Sequence, residues 1–326
     1  MREYFRNRKA VGIAAVVFFV ALITVIPAFT QEPYTILILT MCMLWAGVAS
    51  SWNLIAGYAG IFTLGHQALF GLGAYVSSIF AMKLGITPWV SIFIGALFAA
   101  VIGALISVPS LKLRLMPYIA IATLGLGEII RIVVLNTVDL TKGAAGLWGI
   151  PPFTPIGDIS FDGVSRIPSY YLMLVMFLAT IAITAKIVRS PIGKSLSAIK
   201  DSQDAAESLG VNVRFNKVVV FMIGSFFAGL FGGFYAHTLL ILTPNAVMGG
   251  QLGLQIIAYG LVGGMGTIAG PVIGGFVITI GMELLRFMED YRLIVYALII
   301  ILVVIFMRGG IWGTVKPLLD KLWKKN

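Results

Sequence analysis

Apolar runs separated by short polar breaks fill nearly the whole chain. They fall at residues 10–29, 34–55, 66–83, 88–109, 117–135, 169–188, 217–241, 251–265, 267–286 and 292–307. Most approach the ~20 residues that carry a helix across a bilayer. Lipid offers the backbone no hydrogen-bonding partner, so such runs are helical. The pattern predicts an all-α fold: a single polytopic membrane helix bundle over residues 1–326, with about ten transmembrane helices. The third and eighth runs are short and interrupted by glycine, which predicts broken or re-entrant segments there. The start, MREYFRNRK followed by Ala10 to Phe29, has the outline of a secretory leader. Its apolar part is too long for one and no A-x-A site follows, so it reads as a retained first helix.

Residues 189–217, RSPIGKSLSAIKDSQDAAESLGVNVRFNK, break the pattern. Ser190-Pro191 is a helix start, with Ser as N-cap and Pro at the first helical position. Ile192, Leu196 and Ile199 then recur at helical spacing beside Gly193, while Lys194, Ser195, Ser197 and Lys200 lie on other faces. Asp201 or Ser202 caps a second short helix, whose positive end Asp204 and Glu207 favour. Ala205, Ala206 and Leu209 give that helix an apolar side, and Gly210 ends it. Helices this short need a surface to lie against. The pattern fits docking of the apolar side into a groove of another protein, or a plain structured loop. Gly193-Lys194-Ser195 imitates the end of a phosphate-binding loop. The leading glycine that such a loop requires is Val188, and an apolar span precedes it, so no nucleotide is expected there.

Composition agrees with the membrane reading. The chain of 326 residues is 59% hydrophobic and 11% charged. The net charge is +10, yet the basic residues form no broad face that would suit nucleic acid. They cluster between apolar runs. Arg2, Arg6, Arg8, Lys9, Lys112, Arg114, Arg189, Lys194, Lys200, Arg214, Lys217, Arg308, Lys316, Lys321, Lys324 and Lys325 fall on one side, against Lys83, Lys142, Arg166, Arg286 and Arg292 on the other. The basic side is cytoplasmic by the positive-inside rule, which places both termini and residues 189–217 inside. Residues 136–168 then form a long external loop, rich in Gly and Pro, of a length that is often functional. Cys42 is the only cysteine, which leaves no disulfide framework or cysteine-based zinc cluster within this chain. No cofactor, metal site or nucleophile–base pair is expected.

Two constellations hold polar groups within apolar surroundings. Glu128 and Arg131 lie three apart on one helix face in TLGLGEIIRIVVL (Thr123–Leu135). Charges in a span are costly unless paired or turned to protein or water, so the pair marks either a functional site or an outer helix cap. Glu283 and Arg286 repeat the spacing near the outer end of the ninth run, where a structural role fits better. Asn53, Thr63, His66 and Gln67 surround a glycine-rich stretch, and with Thr123, Glu128 and Arg131 they form a candidate translocation path. The uncharged members serve equally well to satisfy backbone freed at glycine breaks. A faint internal echo joins Gly60–Gly73 to Gly264–Phe276: each has Gly, then Thr three residues on, then a Gly pair. This is either a pseudo-repeat of two halves, which would point to a path at their interface, or chance among abundant glycines.

The motifs GYAGIFTLGHQALFGLGAY, LRLMPYIAIATLGLGEIIR, LTKGAAGLWGIP, RSPIGKSLSAIKDSQDAAESLGVNV and YGLVGGMGTIAGPVIGG, in this order, resemble the LivM-type permeases of branched-chain amino-acid ABC importers. The resemblance runs from about residue 35 to 313. It implies a permease subunit of the bacterial inner membrane that is not itself an enzyme. It further implies a LivH-type sister permease, two cytoplasmic ABC ATPase subunits and an extracytoplasmic substrate-binding protein as partners, with lipid around the bundle. The segment matching Arg189–Val213 is then the ATPase-coupling element, with Ile192, Gly193, Leu196, Ile199, Asp201, Ala205, Ala206, Leu209 and Gly210 as its coupling residues. The implied cargo is leucine, isoleucine and valine; the same scaffold also suits urea, short amides or other amino acids. An ion-coupled carrier would be expected to hold more membrane carboxylates than Glu128.

Overall fold

A computed structural model describes residues 19–30, 32–113, 116–161, 166–307 and 309–324. Among the described residues the fold is helical, apart from one two-stranded ribbon of two residues per strand and a single bridge between Ile156 and Ile159. Helix α1 covers Phe19–Phe29. It is followed by α2 (Pro33–Asn53), α3 (His66–Leu84), α4 (Pro88–Lys112), α5 (Met116–Asn136), the single turn α6 (Val138–Thr141) and α7 (Ile167–Arg189). The short pair α8 (Pro191–Asp201) and α9 (Gln203–Ser208) leads into α10 (Val213–Leu239). The chain ends with α11 (Pro244–Met248), α12 (Gly250–Gly263), α13 (Ala269–Leu284), α14 (Arg292–Phe306) and α15 (Gly310–Lys324).

Among the described residues, eight helical stretches are long and apolar enough to cross a membrane, the α11–α12 pair and the extended α2 each counting as one. Of the runs read from the sequence, the first lies partly outside the described residues, and the basic MREYFRNRK before it lies wholly outside them. The last forms α14, only 15 residues long. The third run is a correction: α3 is an unbroken helix of 19 residues, and the glycine break lies before it, at residues 59–65. The eighth run is corrected in the same way: α12 (Gly250–Gly263) is one unbroken helix, and the breaks flank it, at Gly249 and at residues 264–268.

Helix α10 is the centre of the bundle and packs on α3 and α4, while α2 packs on α7 and α13. Small residues permit the close crossings, since lipid supplies little hydrophobic drive between helices and packing must hold them. A Cβ on Gly73 of α3 would lie 2.2 Å from the Cα of Gly229 in α10, so these backbones touch. Trp52, Phe70, Phe231 and Phe234 are fully buried in the main core. The outward faces stay apolar: Leu97, Val101 and Leu105 of α4 are exposed, as suits lipid.

The connections gather into two groups. At one end, Lys200 reaches Gly57, Lys217 Nζ donates to the carbonyl of Ser110 at 2.7 Å, and Gly264 lies against Gly309. At the other, Lys83 Nζ donates to the carbonyl of Asp139, Trp89 Nε1 to Thr154, and Leu147–Trp148 pairs with Ile241–Leu242. Residues 57–65 and 264–268 therefore share an end with residues 190–212, and residues 137–161 lie at the opposite end.

Candidate functional site

The last turn of α2 does not close as an α-helix. Residues Leu54–Tyr58 form a π turn, a wider ring than the α turn and one frequent at functional sites. Its carbonyls find separate partners: that of Ile55 accepts from Ile61 N–H at 3.1 Å and that of Gly57 from Lys200 Nζ at 2.8 Å. Five polar side chains order the break. Trp52 Nε1 donates to the carbonyl of Thr63 at 2.9 Å, and Ser51 Oγ lies 2.9 Å from His66 Nε2. Asn53 accepts from Gly266 N–H at 2.7 Å and donates to the carbonyl of Thr267 at 2.9 Å. Thr123 Oγ1 of α5 accepts from Leu64 N–H at 3.1 Å. A Cβ on Gly65 would sit 2.2 Å from the carbonyl oxygen of Thr123, so α5 crosses directly over the break.

Five predicted path residues thus come together around this break. Asn53, Thr63, His66, Gln67 and Thr123 are all buried, and most of their polar atoms are bonded to protein. His66 Nδ1 and Gln67 Oε1 are buried with no protein partner. The two echo motifs also meet here, because Asn53, just ahead of the first, holds the backbone of the second at Gly266 and Thr267. No sequence signal pairs Asn53 with residues more than 200 positions away.

Glu128 and Arg131 stand apart from this cluster, further along α5. Arg131 Nε lies 3.0 Å from both carboxylate oxygens of Glu128, and its Nη1 donates to Asn245 Oδ1 of α11 at 2.6 Å. Arg131 is the more covered partner, 23% exposed against 45% for Glu128. Their neighbours on the same face, Ile121, Leu124 and Ile132, are exposed. A half-open carboxylate within an apolar face is costly against lipid and suits a protein or water contact. Asn245 escaped the sequence reading because an asparagine after Pro244 reads only as loop. Glu283 and Arg286 pair with each other at 3.3 Å and with Tyr34 of α2 at the end of the bundle.

Residues 190–212 form two helices, as their caps predict. Ser202 Oγ accepts from Ala205 N–H, and Gly210 stops α9 at a φ of +81°. Ser190 does not cap α8 with its side chain; its hydroxyl turns back to the carbonyl of Ile187, because α7 runs into α8 with no intervening loop. The larger correction concerns the apolar side. Gly193, Leu196, Ile199 and Ala206 are buried against this chain's own helices, not offered to a partner, and Ile192 is half-buried. Leu196 joins the main core, while Ile199 and Ala206 pack on Val213. Asp201, Ala205, Leu209 and Gly210 are exposed, Leu209 by 83%. Gly193 lies in helix, 2.1 Å from the carbonyl of Val188 were it to carry a Cβ, in a shape unlike a phosphate-cradling loop.

With this arrangement in view, the comparison with known proteins is decisive. Residues 34–304 match the family described as "Branched-chain amino acid transport system / permease component". The chain belongs to that family. It is 27% identical to the high-affinity branched-chain amino acid transport system permease protein LivM of Escherichia coli K12, over 92% of this chain and 75% of that protein. It is 24% identical to the LivH permease of Salmonella typhimurium, over 87% of this chain and 95% of that one. The guanosine ABC transporter permease protein NupQ of Bacillus subtilis is 27% identical over 67% of this chain and 72% of its own length. No solved structure matches the chain. The protein is a multi-pass membrane permease of the LivM type. The matched region takes in both glycine turns, the α8–α9 segment and α5 with its ion pair.

Proposed function

We propose that this permease is one of two membrane subunits of an ATP-driven importer of leucine, isoleucine and valine. The observation that carries the reading is the alignment with LivM along 92% of the chain. A LivH-type permease is the sister subunit, an external binding protein delivers the amino acid, and two cytoplasmic ATPases supply the energy. The bundle crosses the bacterial inner membrane about ten times with both termini inside. Residues 190–212 then face the cytoplasm, and residues 136–168 lie outside. The ATPases dock on the open side of α8 and α9, at Asp201, Ala205, Leu209 and Gly210. Leu209 is the anchor, since a leucine 83% exposed beside polar neighbours gains most by being covered. The buried Gly193, Leu196, Ile199 and Ala206, with half-buried Ile192, hold that face in place and transmit its motion.

Cargo passes beside the break between α2 and α3. The path side chains there are polar, and the open His66 Nδ1 and Gln67 Oε1 offer polar atoms to a small substrate once the helices part. Asn53, Thr63 and Thr123 hold the break, and Glu128 with Arg131 lines the α5 side of the path. Reconstitution with the sister permease, both ATPases and the binding protein tests the reading. Labelled leucine should enter vesicles only with ATP, and isoleucine and valine should compete while urea and guanosine do not. Uptake on an ion gradient without the ATPases sinks it, and competition by guanosine in place of valine reassigns the cargo.

A further inference from the structure

We infer that Lys200 is a positioning residue for transport, the pin through which the α8–α9 segment moves the paired glycine turns of the membrane helices. The inference rests on the importer reading above. Lys200 is on the last turn of α8, and its Nζ donates to the carbonyl of Gly57 at 2.8 Å. That carbonyl lies in the π turn that ends α2. A helix C-terminus is the negative end of the backbone dipole, so an ammonium is the fitting partner. One turn back, Asn53 holds Gly266 N–H and the carbonyl of Thr267. A single line of hydrogen-bonded groups thus runs from α8 through the end of α2 to the turn between α12 and α13.

The socket for Lys200 is built from glycine. Gly60 has a φ of +69°, and a Cβ on it would stand 2.9 Å from Lys200 Cγ. Gly266 has a φ of +79°, and a Cβ there would lie 3.5 Å from Lys200 Nζ and 3.3 Å from the carbonyl oxygen of Gly57. Both positions come from the two echo motifs, so the lysine enters where those motifs meet.

The bond is suited to breaking and re-forming. Lys200 is exposed overall, so its ammonium exchanges one carbonyl for water at small net cost. It is also unnecessary for holding the segment. Leu196 is buried in the main core, and Lys217 Nζ ties Gln203 Oε1 to the carbonyl of Ser110 at 2.9 and 2.7 Å. Loss of the Lys200 bond therefore leaves the segment seated and removes its link to the turns.

The test uses the full complex in vesicles. Wild-type uptake driven by ATP comes first, and its absence counts against the importer reading and not against Lys200. In K200M the stem stays and the donor goes. The complex should purify with both ATPases and hydrolyse ATP at the wild-type rate, while leucine taken up per ATP falls about tenfold, a typical coupling between distant sites. K200R, which keeps a donor, should recover most of that ratio. Normal uptake per ATP in K200M overturns the inference. Loss of the ATPases from K200M also overturns it, since the lysine would then be a docking contact. Failure of K200M to assemble overturns it as well, because a bond at an exposed edge should not be needed for folding.

Discussion

Residues 190–212 and 137–161 both join long apolar helices, at opposite ends of the bundle, and they are ordered by different means. The first is regular. Helix caps, a proline start and a glycine stop set it locally, and a few apolar side chains seat it on the core. The second has almost no regular structure and is held by side chains from elsewhere. Phe153 is buried among Trp89, Phe161, Phe234 and His237, with ring centroids 4.9–6.0 Å away. His237 Nδ1 faces the carbonyl of Pro151 at 2.7 Å, so that nitrogen carries the proton. Its Nε2 then accepts from the hydroxyl of Ser77 at 2.8 Å, while Ser91 Oγ donates to the carbonyl of Pro88 at 3.2 Å. One connection is a pair of short helices seated on the core by Leu196. The other is fastened to α3, α4 and α10 and would move only with them.

The largest effect that could break this comparison comes from two leucines of the same segment. L196D puts a carboxylate in a fully buried site and should cost about 3–5 kcal/mol, enough to lose folded permease on detergent extraction. L209D should leave folding within about 0.5 kcal/mol, because the residue is open, yet strip the ATPases during purification. If both variants assemble alike, α8 is not seated as described.

A middle-sized effect tests the other connection. H237F removes the donor to the carbonyl of Pro151 and the acceptor of the Ser77 hydroxyl and should cost about 1–3 kcal/mol. Protease added from the side of residues 137–161 should then cut there, while residues 190–212 keep their wild-type protection. Joint loosening of both would show that the two ends are not independent.

The smallest expected effect concerns α5, which links the two ends. R131M leaves Glu128 without a cation, whereas E128Q combined with R131M leaves no charge. The single change should lower the midpoint of thermal unfolding further than the double change, by the equivalent of about 1–2 kcal/mol. A double variant worse than the single one would show that the Glu128 carboxylate is stabilised by a partner other than Arg131.

Much of this was legible along the chain. Apolar runs gave the membrane helices because a continuous run of about 20 apolar residues satisfies its own backbone in lipid as a helix. Pro191, Ser202 and Gly210 marked α8 and α9 because their effects are local: a fixed φ, a side-chain acceptor, and tolerance of positive φ. The pairing of Glu128 with Arg131 followed from helical spacing alone.

Tertiary structure decided everything that depends on what covers a face. An amphipathic helix shows the same spacing whether its apolar side meets its own chain or another, so Leu196 reads as a docking residue until its burial is seen. The partners of Asn53, Lys200 and Arg131 lie 214, 143 and 114 positions away, and no local rule connects them. Periodicity records how a helix turns toward its neighbours; it carries no record of which neighbour stands there, and that was settled only when the helices packed.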